Sequence, residues 1–165
     1  MAQTKLGEII VNTNGNPPTV GSTAPNFTLT NTEWKDQTLQ DFSGKNVVLN
    51  IFPTIATSVC SASVREFNKR AASLKDTVVL CISKDLPLAQ KNFCAAEGIK
   101  NVVMLSDFRN IDFAKKYGVE MADGGWYGLF SRSVMVIDKQ GKIIHTEIVP
   151  QIGQEPNYDA ALAGL

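Results

Sequence analysis

The chain has 165 residues, 44% apolar and 19% charged, with sixteen basic residues balancing sixteen acidic ones. That length predicts one domain with one core across residues 1–165, and the scattered, balanced charge argues against a nucleic-acid or anionic-membrane partner. Apolar runs such as "VVLNIF" fall far short of the roughly 20 residues that span a bilayer; "MAQTKLGEIIVNTN" lacks an apolar signal core and a small-residue cleavage site, so a cytoplasmic location is expected.

In chain order, "LGEIIVNTNGNPPTV" reads as an edge hairpin turning at Asn14-Gly15, with a return interrupted by Pro17 and Pro18. The turn-rich "GSTAPNFTLTNTEWKDQTLQDFSGK" reads as a semi-extended wrapping segment with Phe27 and Leu29 directed inward. "NVVLNIF", bounded by Gly44 and Pro53, has the continuous apolar character of a central strand buried on both faces. In "CSASVREFNKRAASL" the residues Cys60, Val64, Phe67, Ala71 and Leu74 recur at the spacing of one helix face.

"TVVLCIS" is the next buried strand, and "LPLAQKNFCAAEG" a helix with Pro87 in its first turn and Gly98 as its stop. "NVVMLSD" supplies another strand, and "NIDFAKKYG" a short helix capped by Asn110 and closed by Gly118. "SRSVMVID" and "KIIHTEIV" read as antiparallel strands around a Gly-containing turn, and "EPNYDAALAGL" as a final helix. Strands alternating with helices predict an α/β sandwich with a mixed central sheet flanked by helices and an N-terminal β-hairpin.

The stretch "PTIATSVC" carries the chemistry. Pro53 cannot donate a ladder hydrogen bond and ends its strand, while Thr57 or Ser58 is placed to cap the helix that follows. Cys60 therefore falls in the first helical turn, where free N–H groups and the helix dipole favour a thiolate. Position alone is equally compatible with a small buried cysteine beside a helix cap. A metal site is not expected: there is no Cys-x-x-Cys pair and His145 is the only histidine. The single His, with no G-x-S-x-G or phosphate loop, also argues against a Ser-His-Asp or Cys-His nucleophile.

Pro53, Thr57 and Cys60 together resemble the P-x-x-x-T-x-x-C signature of peroxiredoxins. "GSTAPNFTL", "LQDFSGKNVVLNIFP", "VVLCISKDLPLAQKNFC" and "NVVMLSDFRN" extend the likeness over nearly the whole chain, to the bacterial thiol peroxidases, atypical two-cysteine members of that family. The resemblance implies a thioredoxin-like fold, no bound cofactor and a peroxidatic Cys60. It implies that Thr57 orients the thiolate and the peroxide, that Pro53 shields the sulfur from water, and that Arg132 helps to stabilise charge on the leaving oxygen. Backbone N–H groups near Val59 and Cys60 are further candidates for that task. Thr57 stands where a dithiol reductase of this fold has its first cysteine, which disfavours that activity.

The resemblance also assigns Cys94 as the resolving thiol, closing a Cys60–Cys94 disulfide that thioredoxin reduces, and implies a homodimer. Because a disulfide needs Cα atoms within about 7 Å, local unwinding of both segments is expected. Cys81, mid-strand among apolar neighbours, reads as packing. Trp126, Tyr127 and Phe130 in "EMADGGWYGLFSR" form either an apolar wall beside the thiol suited to organic hydroperoxides, or a core or subunit contact. The rival to an enzyme is a redox switch or holdase that oxidises once and changes what it binds.

Overall fold

The computed structural model describes residues 1–165. Its first element is a two-stranded antiparallel hairpin, β1 (Gln3–Leu6) and β2 (Ile9–Asn12). The expected turn at Asn14-Gly15 is not its turn: the chain reverses at Gly7-Glu8, with Gly7 in the left-handed region at φ 64°. Asn14 is engaged elsewhere, its backbone N–H donating to Glu120 and its Nδ2 to the Ala114 carbonyl at 3.0 Å. Tertiary partners thus outweigh the local turn preference of an Asn-Gly pair.

The main sheet takes β3 (Thr28–Asn31), β4 (Asp36–Thr38), β5 (Asn46–Ile51), β6 (Thr77–Ser83), β7 (Val103–Ser106), β8 (Ser133–Ile137) and β9 (Ile143–Ile148). Their spatial order is β4-β3-β7-β6-β5-β8-β9. The segment read as semi-extended and wrapping supplies β3 and the edge strand β4, with β3 antiparallel to β7 and Phe27 and Leu29 buried as expected. Strands β5, β6 and β7 run parallel, and β8 returns antiparallel to β5. The helices are α1 (Ser58–Ala71), α2 (Pro87–Glu97), α3 (Asp112–Tyr117) and α4 (Tyr158–Leu162).

Alternation along the buried strands builds two apolar layers. Val47, Leu49 and Ile51 of β5 join Leu80 and Ile82 of β6 against Phe27, Phe113 and Tyr117. Val48, Val79, Cys81, Met104 and Val134 face the other way, onto Cys60, Val64 and Phe67 of α1 and Ala161 of α4. Each fully buried large side chain contributes about 1.5–3 kcal/mol.

Helix α2 starts on Pro87 and ends at Gly98, and α3 ends at Gly118, both glycines left-handed as a C-terminal cap requires. The expected Asn110 cap does not form, because its Nδ2 donates to Thr30 Oγ1 at 3.2 Å, tying α3 to β3 instead. No helix is long and apolar enough to cross a membrane.

Candidate active site

β5 ends at Ile51, and the buried Pro53 follows it. The next residues make a tight turn in which the Thr54 carbonyl accepts from the Thr57 backbone N–H at 3.3 Å and from its hydroxyl at 3.4 Å. Thr57 is the cap of α1: its extended backbone lets Oγ1 accept from the Cys60 N–H at 3.2 Å. The sequence left Thr57 and Ser58 as alternatives; the hydroxyl of Thr57 fills the position.

Cys60 is fully buried on the inner face of α1 and is a free thiol. Arg132, one residue before β8, is 1% exposed and donates from Nη2 to Cys60 Sγ at 3.4 Å. Its Nε donates to the Ile152 carbonyl at 2.8 Å, which fixes the plane of the guanidinium, while Nη1 has no protein partner. The arginine is thus not a solvated strand-end residue. It delivers positive charge to the sulfur and keeps one further donor free. Since the Cys60 N–H is used by the cap, of the two expected backbone donors only Val59 N–H is without a protein partner.

Thr57, Val59 and Arg132 line a cavity of about 390 Å³ with Leu6, Gly7, Trp126, Gln151 and Ile152. The N-terminal hairpin forms one lip of it, held by Lys5–Pro150, Ile152–Lys5 and Gln151–Gly7 hydrogen bonds. The three aromatic residues separate. Trp126 lines this cavity, Phe130 is buried in the opposite apolar layer edge-on to Phe113, and Tyr127 is 72% exposed. Leu6, Gly7 and Ile152 carry no motif that would have placed them here. A larger cavity of about 580 Å³, lined by residues such as Lys45, Val47, Ile137 and Gln140 at the far end of β5, contains none of the candidate groups.

Cys94 lies in the last turn of α2, half-buried, and desolvation pushes its thiol up. It lines a different cavity, of about 290 Å³, with Asn31, Lys91 and Met104. Cys60, Cys81 and Cys94 thus border one apolar layer without any disulfide among them. Burial pushes the Cys81 thiol up to about 12, against a small opposing effect of the Asn50 amide 3.6 Å away. Such a sulfur stays protonated and closed to solvent.

A capped, arginine-paired thiol at the end of the central strand of a thioredoxin-like sheet defines a cysteine-based redox protein. Similarity to known proteins narrows the class. The redoxin family model matches residues 19–162. Thiol peroxidases of Mycobacterium bovis and Mycobacterium tuberculosis are 52% identical over 165 residues, covering 100% of this chain and 99% of theirs. A peroxiredoxin-like protein from Aquifex aeolicus superposes with a TM-score of 0.94 at 33% identity, over 99% of this chain and 95% of that one. A thiol peroxidase from Chromobacterium violaceum shares the fold at a TM-score of 0.89, over 97% and 93% of the two chains, at 21% identity. The chain belongs to the redoxin family and, within it, to the thiol peroxidases.

Proposed function

We propose that residues 1–165 act as one thioredoxin-like domain that reduces hydrogen peroxide and organic hydroperoxides at Cys60, in antioxidant defence in the cytoplasm. The observation that carries this reading is the Arg132 Nη2 donor 3.4 Å from Cys60 Sγ, with Nη1 still free. The Cys60 thiolate attacks the terminal peroxide oxygen, the O–O bond breaks, and the alkoxide or hydroxide leaves with a proton as alcohol or water. The sulfur becomes a sulfenic acid. Charge that grows on the departing oxygen meets Arg132 Nη1 and the Val59 N–H, donors already in place before reaction. Trp126, Leu6 and Ile152 offer apolar contact to the organic part of a hydroperoxide.

Cys94 then attacks the sulfenic sulfur, forming the Cys60–Cys94 disulfide and releasing water. The buried seat of Cys60 and the separate cavity of Cys94 support unwinding of both segments in this step. A dithiol, thioredoxin in our reading, reduces the disulfide and restores both thiols, and the working unit is a homodimer. Pro53 closes the base of the site against water.

Non-reducing peptide mapping after one equivalent of cumene hydroperoxide tests the scheme. A bridge between the Cys60 and Cys94 peptides is expected; a bridge through Cys81, or none, contradicts it. With a thioredoxin system present, consumption of many equivalents of peroxide is expected, whereas a single oxidation would mark a switch.

A further inference from the structure

The turn that presents Cys60 is held by a residue thirty positions downstream. Asp85, between β6 and α2, turns its carboxylate to the end of β5: Oδ1 accepts from Thr54 Oγ1 at 2.7 Å, and Oδ2 from the Ile55 N–H at 2.9 Å and Ser83 Oγ at 2.7 Å. Thr54 Oγ1 in turn accepts from the Ala56 N–H, and the Thr54 carbonyl takes both donors of Thr57, whose hydroxyl caps the N–H of Cys60. On the other side, Ser83 Oγ accepts from Nε2 of the fully buried Gln90 in the first turns of α2, the helix that carries Cys94. Helix α2 has no side-chain cap of its own. One carboxylate therefore ties the Cys60 turn to the start of the Cys94 helix.

Resting on the peroxidase reading above, we propose that Asp85 is a positioning residue that couples the two halves of the cycle. With its three hydrogen bonds made, Thr57 and Cys60 are held against Arg132 and the sulfur attacks peroxide. The same bonds must break before α1 and α2 unwind for Cys94 to reach the sulfenic sulfur, so Asp85 favours the first step at the expense of the second. An ionised carboxylate only accepts, and all three of its partners donate; an amide offers one acceptor oxygen and turns donors toward the rest. Hydrogen bonds to a charged group are the strong ones, so their loss moves the balance between the held and the opened turn substantially.

Rapid-quench mass spectrometry of reduced D85N, mixed with cumene hydroperoxide, reads the steps separately. The expected result is a loss of thiol slowed about tenfold, disulfide formation from the sulfenic acid accelerated several-fold, and a higher peroxide concentration needed for over-oxidation to sulfinic acid. T54V, which removes one of the three donors, should shift both rates the same way by less, and T54S should restore them. A residue that serves only the fold would slow both steps or neither. Either of those results, in D85N and T54V alike, overturns the proposal. Wild-type protein that consumes no peroxide would instead remove the peroxidase reading beneath it, which separates the two failures.

Discussion

At Arg132 a charged group is taken almost wholly out of water, which is costly unless its donors are met, yet Nη1 is left without a protein partner. An unmet donor beside a buried thiol is what a reaction that develops negative charge there requires. R132Q should lower the second-order rate with peroxide by about 10²–10³, and R132K should recover only part of it, because an ammonium lacks the fork that binds Ile152 and Cys60 together. Stopped-flow kinetics with cumene hydroperoxide checks both. Asp107 shows a different cost. Its side chain is fully buried, neither oxygen has a hydrogen bond, and Lys84 Nζ stands 3.7 Å away while Glu120 and Asp112 add like charge. Desolvation pushes its carboxyl up to about 7. The folded state then binds the extra proton between the ordinary carboxylate range and about pH 7, so this group lowers stability as pH rises through that window. D107N should abolish its share of that slope, with urea unfolding at about pH 4.5 and pH 8 showing a relative gain for the variant on the order of 3 kcal/mol at the higher pH. Of these residues, Pro53, Thr57 and Cys60 were legible as a local motif. Arg132 was legible only through family resemblance, and Asp85 not at all, because its role depends on two strand ends converging in space.

Among the elements, those whose signals are local were the readable ones. The β5, β6 and β7 strands announce themselves by continuous apolar runs, α2 by Pro87 and Gly98, and α1 by the Cys60, Val64, Phe67 spacing. Misreadings arose where a distant group outweighed a local preference. Asn14-Gly15 is drawn to Ala114 and Glu120, and Asn110 to Thr30. For Phe130 the sequence left wall and core open, and its packing on Phe113 selects the core. Strand β3 and the edge strand β4 beside it are short and polar, so period-two alternation had little length in which to show. Gly118 illustrates the same coupling: it ends α3 at φ +63°, and a Cβ there would stand 2.5 Å from the Asn16 carbonyl oxygen. G118A should therefore cost about 2 kcal/mol or more from strain and displaced backbone, measured by urea unfolding, whereas G44A, with nothing within 4 Å of its added Cβ, should cost less.

For the whole molecule, the proposed cycle sets reaction at Cys60 against recycling through Cys94. The three thiols border one apolar layer, Cys60 under the start of α1 and Cys94 toward the end of α2, with Cys81 between strands at about 12 and out of play. In the cycle proposed above, forming the Cys60–Cys94 bridge loosens the layer that both thiols border. Hydrogen exchange should be faster in the first turn of α1 and in α2 of the disulfide form than of the dithiol form, while β5 and β6 stay protected. Underneath everything lies the identity of the sulfur that meets the peroxide. Trapping the sulfenic acid with dimedone in C94S, after one equivalent of cumene hydroperoxide, reads it directly by mass spectrometry. The adduct should fall on Cys60 alone; an adduct on Cys81, or unmodified protein after the peroxide has been consumed, would contradict the account.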